Sequence, residues 1–319
     1  MGIRVLKGGM MTTVQDLGRT GYQSQGFSVS GVMDVRSFKI ANLLLDNPEN
    51  EAVLEFTLIG PTLEFTSETI ISITGGDFCP QINGKPAKMY TAIYMHRGDI
   101  LTFGGARTGT RGYIAFSSYL DVPVVMGSRS TNIKCQIGGY KGRKLEDEDY
   151  IAFRAKRRYL PYYLSRSLDL DEFDQEKITL RVVMGPQEKM FTKEGRETFL
   201  NSEYTVTSEF DRMGCRLEGP FIAYKTTSDI ISDGIAFGSV QVPSHGKPII
   251  LLADRQTTGG YAKIATVVSV DIPKLVQRKT EQKVRFQAVS VEEAQKLLAD
   301  ETKELNDFRS QIYTPCKEV

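Results

Sequence analysis

A chain of 319 residues is long enough for about two domains of ordinary size. It is 40% hydrophobic and 25% charged, and 40 Lys and Arg residues against 39 Asp and Glu residues give a formal net charge of +1. This balance excludes the positive excess of a protein that binds nucleic acid through its overall charge. The longest apolar runs, such as residues 248–253, are far shorter than the roughly 20 residues that cross a membrane. We therefore expect a globular protein with no membrane or nucleic-acid partner.

The cysteines and histidines limit the chemistry that the chain can perform. It contains four widely separated cysteines with no CxxC pair: Cys79, Cys135, Cys215 and Cys316. Reduced thiols and an N-terminus without an apolar signal segment indicate a cytoplasmic protein. The two histidines, His96 and His245, are too few for most zinc sites or Ser-His-Asp triads. We therefore predict no metal site among the site residues.

Period-two hydrophobic patterns dominate the chain from residue 52 onward and predict short β-strands separated by turns. Asn83 and Gly84 lie between extended flanks, a pair typical of a type I′ hairpin turn. The Gly- and Thr-rich loop within residues 98–116 lacks the Gly-Lys-Ser/Thr ending of a phosphate-binding loop. We interpret it as the loop of a barrel hairpin.

Capping residues and helical spacing predict three helices: residues 34–46, 186–200 and 290–308. Asp34 is the expected N-cap of the first helix. Pro186 suits the first turn of the second. Ser290 and Glu293 have the spacing of a capping box at the start of the third.

The charged stretch of residues 156–177 predicts a boundary between domains. It joins a basic cluster at 154–158 to an acidic run at 169–176, and we interpret both as solvated charge rather than a phosphate-binding patch. The many short strands on both sides predict a mainly β protein with two β-barrel-like domains and few helices. The expected divisions are an N-terminal barrel at 1–170, a C-terminal barrel at 171–289, and a C-terminal helix and tail at 290–319.

Three segments combine glycine with polar side chains that no strand or helix pattern explains: residues 12–34, 209–219 and 232–261. Such loops are costly to order, and polar groups at strand ends are typical of a pocket rim. Arg212 and Arg255 offer planar donor forks for a carboxylate or phosphate. Gln15, Gln241 and Gln256 can hydrogen-bond to an amide.

A structural interpretation of the same residues stays open. Asp211 with Arg212, and Asp254 with Arg255, are equally consistent with internal salt links that fix loops. Asp16 by itself fits an Asx turn. The occurrence of three such segments in one chain favours a site over three separate structural devices.

Four motifs occur in order along the chain: TVQDLGRTGYQSQGFSVSGVMD, ANLLLDN, EFDRMGCRLEG and PIILLADRQTTGGYAKIATV. With them the chain resembles, from about residue 8 to 270, the biotin-dependent carboxyltransferase family that includes allophanate hydrolase subunit 2 and the C subunit of 5-oxoprolinase. The resemblance implies two cyclophilin-like β-barrel domains. It also implies half of a carboxyltransferase region, with the other half supplied by a partner, the B subunit.

The resemblance implies a C subunit that acts with the A and B subunits in the ATP-dependent opening of 5-oxoproline to L-glutamate. ATP would be shared with the partner subunits, with Mg²⁺ as its accompanying ion. No covalent biotin is expected, because Lys88-Met89 lacks the flanking pattern of a biotin-attachment site. One alternative is the carboxyltransferase subunit of a urea carboxylase or allophanate-type system. The other is a non-catalytic antagonist that binds a sporulation-kinase inhibitor of the B-subunit type.

Opening a lactam requires groups that stabilise anions and groups that orient an amide. We assign the first task, with proton or magnesium handling, to candidate catalytic residues: Asp16, Arg212, Asp254 and Arg255. We assign the second to candidate substrate-binding residues: Gln15, Arg19, Gln241, Gln256, Thr257, Thr258, Gly259 and Gly260. We further expect the three glycine-rich segments to converge.

Overall fold

The computed structural model describes residues 1–156, 159–170 and 173–313. Most of their regular structure is β, which confirms the predicted fold class. Some sequence-based expectations fall outside the described residues: those for Arg157, Arg158, Asp171, Glu172, Cys316 and the tail from residue 314. No helix in the described parts of the chain is both long and apolar enough to span a membrane.

The chain forms two compact units. The first contains residues 1–19, 30–174 and the chain from Thr302 onward, and the second contains residues 20–29 and 175–301. The domain limits proposed from the sequence remain a prediction about which segments fold independently.

The elements of the first unit are β1 (Gly2–Lys7), β2 (Met11–Gln15), α1 (Val35–Leu44), β3 (Val53–Thr57), β4 (Thr62–Phe65), β5 (Thr69–Gly75), β6 (Gln81–Ile82), β7 (Lys85–Pro86), β8 (Ala92–Met95), β9 (Ile100–Thr102), β10 (Arg111–Phe116) and β11 (Tyr150–Ala152). They form a six-stranded sheet in the order β11-β1-β4-β9-β6-β7 and a five-stranded sheet in the order β2-β3-β10-β5-β8.

The five-stranded sheet is buried on both faces. Successive side chains of a strand point to opposite sides, and along β10 Ile114 and Phe116 pack into a core shared with the six-stranded sheet. Tyr113 and Ala115 pack on the other face, against Phe38 of α1. All five side chains are fully buried. Strand β10 is therefore apolar on both faces, as a continuous hydrophobic run.

Two local predictions for the first unit are confirmed. Asp34 caps α1, because its carboxylate accepts hydrogen bonds from the main-chain N and the hydroxyl of Ser37, at 2.9 and 2.7 Å. Asn83 and Gly84 have φ values of 51° and 77° between the paired strands β6 and β7. Both central residues of a type I′ turn require positive φ.

The predicted barrel hairpin around the Gly- and Thr-rich loop is wrong. Strand β9 pairs with β4 and β6, whereas β10 pairs with β3 and β5. The loop between them therefore crosses from one sheet to the other. Turn composition marks where a strand ends and does not specify which strand pairs with it.

The elements of the second unit are β12 (Lys177–Met184), α2 (Lys193–Asn201), β13 (Tyr204–Phe210), β14 (Gly214–Glu218), β15 (Asp229–Gly234), β16 (Ser239–Gln241), β17 (Ile249–Leu251), β18 (Thr258–Tyr261), β19 (Lys263–Val267), α3 (Ile272–Val276) and β20 (Lys283–Ala288). Seven strands close into a barrel in the order β12-β19-β16-β17-β14-β13-β20. Its closing pair, β12 and β20, is parallel, and β15 with β18 forms a separate two-stranded ribbon.

The remaining helices differ in how well the sequence anticipates them. The C-terminal helix α4 (Val291–Ile312) begins with the predicted capping box, in which Ser290 and Glu293 exchange hydrogen bonds of 2.7 and 3.1 Å. Helix α2 begins later than predicted, because Phe191 is extended and Thr192 provides the N-cap. Helix α3, with Pro273 in its first turn, was not predicted.

Candidate functional site

A cavity of about 500 Å³ lies in the second unit. Two of the predicted glycine-rich segments, 209–219 and 232–261, supply its walls. The side chains that matter to its chemistry are Phe210, Met213, Ile235, Gln241, Arg255 and Gln256. Its lining also contains two carboxylates, Glu209 and Asp211, and a second cation, Arg216, which pairs with Glu209 at 3.2 Å. The cavity therefore combines apolar walls with charged groups of both signs and two amides.

Arg255 follows strand β17, whose central residue Ile250 is fully buried, and is itself 7% exposed. Its Nε donates to the main-chain oxygen of Ile235 at 3.1 Å, and its Nη1 donates to that of Leu252 at 3.2 Å. The guanidinium also lies 5.6 Å from the ring centroid of Phe237. These contacts fix the plane of the fork and leave Nη2 without a hydrogen bond to any described residue.

The charge of Arg255 has no carboxylate partner among the residues that the structure describes. Burial lowers the pKa of its guanidinium from the ordinary value, but arginine stays protonated in proteins. An uncompensated buried cation is costly, and an anionic ligand would relieve that cost. The position next to Arg255 within the cavity therefore suits a carboxylate or phosphate.

The amide of Gln241 lies beside the glycines of β18. Its Nε2 is 3.4 Å from the main-chain oxygen of Tyr261, and a Cβ added to Gly259 would lie only 2.7 Å from the same nitrogen. Glycine at position 259 thus leaves room for the amide. Thr258 and Gly260 belong to the same strand, which pairs with β15. The predicted backbone donors therefore lie in a strand, beside the cavity-lining amide.

Arg212 and Asp254 pair with each other. The Nε and Nη2 atoms of Arg212 lie 2.9 and 3.2 Å from the two carboxylate oxygens of Asp254. Asp211 instead accepts hydrogen bonds from the main-chain N atoms of Met213 and Gly214, at 2.7 and 3.0 Å. The salt-link interpretation thus holds for Arg212 and Asp254, with a pairing different from the one predicted between sequence neighbours.

Asp16 lies in the first unit and is 2% exposed. Its carboxylate accepts hydrogen bonds from the hydroxyls of Ser128 and Ser130, at 2.6 and 2.5 Å. The main-chain N atoms of Arg129 and Gly18 donate to it as well, at 2.6 and 2.8 Å. This carboxylate joins two loops of the first unit.

Gln15 and Arg19 also lie in the first unit and are fully buried. The Nε2 of Gln15 donates to the hydroxyl of Thr13 at 3.0 Å and to the main-chain oxygen of Thr131 at 3.2 Å. Arg19 donates to the main-chain oxygen of Ser130. Their predicted contacts with substrate remain a prediction.

The first glycine-rich segment nevertheless reaches the cavity loop. Residues 20–29 belong to the second unit, and the hydroxyl of Ser28 donates to the main-chain oxygen of Arg255 at 2.8 Å. Parts of all three predicted segments thus meet within the second unit. The middle of the first segment makes this contact, whereas Gln15, Asp16 and Arg19 belong to the first unit.

Comparison with known proteins gives the family. The family model described as "Carboxyltransferase domain, subdomain A and B" matches residues 25–288. The chain belongs to the carboxyltransferase family. This member is 34% identical over 306 residues to the 5-oxoprolinase C subunit of Escherichia coli (strain K12), covering 94% of this chain and 95% of that protein. It is also 34% identical over 285 residues to the 5-oxoprolinase C subunit of Haemophilus influenzae, covering 89% and 90% of the two chains.

A solved structure supports the same assignment to the carboxyltransferase family. The crystal structure of the Kluyveromyces lactis urea amidolyase superposes on this chain with a TM-score of 0.88 at 29% sequence identity. The match covers 96% of this chain and 20% of the amidolyase chain. The chain therefore corresponds in fold to one part of that larger protein.

Lys263 is a buried charged residue, beside the cavity-lining Gln241, that sequence reasoning missed. It is 3% exposed and lies in β19, directly opposite Gln241 of β16. The available signal was a lysine within the otherwise apolar stretch at 262–265, since a charged residue in a buried strand is rarely without a partner.

Proposed function

We propose that this chain is the C subunit of an ATP-dependent 5-oxoprolinase, which opens 5-oxoproline to L-glutamate together with the A and B subunits. The proposal rests on the similarity to the C subunit of E. coli, which extends over 94% of this chain and 95% of that protein. The guanidinium of Arg255 also supports it, because this buried cation in the cavity has no carboxylate partner among the described residues and could bind the carboxylate of 5-oxoproline.

The cavity lining offers a candidate partner for each of three parts of a 5-oxoproline molecule. Its carboxylate would meet the Nη atoms of Arg255, which can bind two oxygens at once. Its ring methylenes would pack on Ile235 and Leu251, which line the cavity. Its lactam N–H and C=O would pair with the amides of Gln241 and Gln256, since each amide offers both a donor and an acceptor.

ATP would activate the lactam, which is otherwise stabilised by resonance. Transfer of the γ-phosphoryl group to the lactam oxygen forms an O–P bond and releases ADP. Water then adds to the activated carbon, and the ring C–N bond breaks, with the amine taking up a proton, to give a γ-glutamyl phosphate. A second water hydrolyses this acyl phosphate to glutamate and inorganic phosphate. Buried donors aimed at the carboxylate and the lactam hold the substrate in place for these steps. Arg212 and Asp254 are proposed to support this site by fixing the loop that carries Arg255.

The chain's own carboxylates do not fit a resident magnesium site. No group of three His, Cys, Asp or Glu side chains within the described residues is placed to hold a metal ion. Asp16 and Asp254, the two candidates from the sequence, already bind hydroxyls, main-chain N–H groups or Arg212. The proposal therefore routes no step through magnesium held by this chain.

Reconstitution tests the proposal. The purified chain is mixed with the A and B subunits, ATP and 5-oxoproline, and glutamate and ADP are measured together. We expect both products in equal amounts only when all three proteins are present. Omission of the chain is the first control, and an Arg255→Gln chain is the second. Full glutamate production without this chain would refute the proposal.

A second candidate is carboxyl transfer, which the family match and the fold of the K. lactis urea amidolyase favour. In that reaction Arg255 and Gln241 would hold a biotin ureido group and a carboxylate. Avidin separates the two candidates, because it blocks a biotin-dependent reaction and leaves lactam opening unaffected. If the chain binds the B subunit but neither reaction requires it, the non-catalytic antagonist becomes the better assignment.

A further inference from the structure

A second buried cation lies next to the cavity. The side chain of Lys263 is 4% exposed, and its ammonium group contacts a carboxylate of Asp233 at 2.8 Å. An ammonium group carries three N–H donors, and Asp233 is the acceptor for one of them among the described residues. The remaining donors of this buried charge are available to another oxygen.

The counter-ion of Lys263 lies on a weakly held element. Asp233 is 53% exposed and belongs to the two-stranded ribbon of β15 and β18, outside the barrel sheet. The pairing of this ribbon is irregular between Asp229 and Asp233, and Ile231 on the same strand is 95% exposed. An isolated pair of strands is marginally stable, and elements with few buried contacts open most readily. Asp233 can therefore leave Lys263 without disturbing the barrel.

The lysine pair lies beside a residue that lines the cavity. Lys263 lies opposite Gln241 across the strand pair, and Gln241 lines the cavity. Asp233 lies two residues before Ile235, whose main-chain oxygen accepts the hydrogen bond from Arg255 Nε. The Nε2 of Gln187 also reaches Asp233, at 3.3 Å. Movement of Asp233 would thus free the ammonium group of Lys263 beside the cavity-lining Gln241.

We propose that Lys263 is an oxyanion-binding residue and that Asp233 occupies its ligand position until a phosphate or carboxylate oxygen replaces it. Arg255 within the cavity and Lys263 beside Gln241 would then both be cations without a carboxylate partner among the described residues. This inference deepens the proposed function and rests on it only for the identity of the natural anion. Its test uses the purified chain without the A and B subunits.

Isothermal titration calorimetry with inorganic phosphate tests the proposal. Asp233→Asn removes the competing carboxylate, and we expect it to tighten phosphate binding by about tenfold, equivalent to about 1.4 kcal/mol. Adding Lys263→Gln to that variant should abolish the gain. Asp229→Asn is the matched control, because it removes a carboxylate from the same strand that is not paired with Lys263, and it should leave phosphate affinity unchanged. A parallel titration with acetate identifies whether phosphate or carboxylate is preferred.

Hydrogen exchange on the unmodified chain provides a test that does not depend on a variant. Saturating phosphate should accelerate amide exchange in β15, because release of Asp233 loosens the ribbon. Unchanged affinity in Asp233→Asn, or unchanged exchange in β15, would overturn the inference and leave the ion pair purely structural. A gain in affinity that Arg255→Gln removes and Lys263→Gln does not would also overturn it, while the proposed function would stand.

Discussion

Arg212 donates from Nε and Nη2 to both carboxylate oxygens of Asp254, at 2.9 and 3.2 Å. The main-chain N of Asp254 also donates to the main-chain oxygen of Arg212, at 2.8 Å. The two side chains are only 10% and 11% exposed. The loop after β17, which carries Arg255, is therefore joined to the turn between β13 and β14 by both side chains and main chain.

Asp254→Asn should lower the free energy of unfolding by about 1 to 3 kcal/mol, because it removes the charge from the mostly buried carboxylate that binds the Arg212 guanidinium. Urea unfolding of the purified chain measures this. Glu197→Gln, which breaks the exposed pair between Lys193 and Glu197, should cost no more than about 0.5 kcal/mol. Equal costs for the two variants would show that the Arg212 pair contributes no more than a surface contact.

The pairing of Arg212 illustrates what the sequence could not provide. Chain adjacency suggested Asp211 with Arg212 and Asp254 with Arg255, whereas Arg212 bonds to a carboxylate 42 positions away. That contact depends on the alignment of β14 with β17 in the closed barrel. Strand register is a property of the whole sheet, and the local pattern around a single pair does not determine it.

Sequence patterns predicted structure correctly where residues close in sequence supply the hydrogen-bond partners of the backbone N–H groups. Asp34 caps α1, and the box of Ser290 and Glu293 opens α4, because each closes hydrogen bonds within four residues. The hairpin predicted for β9 and β10 failed, since each strand pairs with distant strands instead. Residues 209–219 and 232–261 were identified as cavity walls from composition, but Lys263 was not, because its burial depends on the closed barrel.

Helix α4 should respond very differently to substitutions near its two ends. Ile312 is fully buried with Ile40, Leu44 and Leu168, whereas Leu298 is 48% exposed. Ile312→Ala should destabilise the chain by about 2 to 4 kcal/mol through lost burial and a residual cavity. Leu298→Ala, the matched control on the same helix, should change stability by about 0.5 kcal/mol or less. Thermal and urea unfolding compare them, and equal effects would contradict the packing of the C-terminal turn.

Stability should fall in acid partly through Asp271. Burial raises the pKa of this carboxyl, but hydrogen bonds from Arg181 and Lys274 outweigh it and hold the pKa below its ordinary value. Arg181 Nε and Lys274 Nζ both lie 2.8 Å from the carboxylate. A depressed pKa contributes stability that is present above the unfolded value of about 4 and is lost as the pH falls through the folded value.

Asp271→Asn should therefore reduce the unfolding free energy by about 1 to 3 kcal/mol at neutral pH, as expected for loss of a buried charged hydrogen-bond partner, and its deficit should shrink as the pH falls from 7 through about 4 and below. Urea unfolding across that range measures the difference from the unmodified chain. Asp300→Asn serves as the control, because Asp300 is exposed on α4 and forms no ion pair with the described residues. A deficit that stays constant with pH would mean that Asp271 acts through packing and not through its charge.

Arg255→Lys tests the proposed anion site most directly. Lysine keeps the positive charge but is a point donor that cannot reproduce a two-point contact. It also loses the hydrogen bond from Nε to Ile235, which holds the plane of the guanidinium. If Arg255 binds a group whose charge grows during reaction, activity of the reconstituted complex should fall by roughly thirty- to thousand-fold, equivalent to about 2 to 4 kcal/mol.

Stability distinguishes this role of Arg255 from a structural one. Its two main-chain hydrogen bonds contribute about 1 kcal/mol each, so the melting temperature of Arg255→Lys should fall by only a few degrees. Activity is therefore measured per folded molecule, well below the melting temperature. An early-melting variant with normal activity per folded molecule would make Arg255 a loop-fixing residue, because a lost substrate contact must lower turnover or affinity even when the barrel is intact.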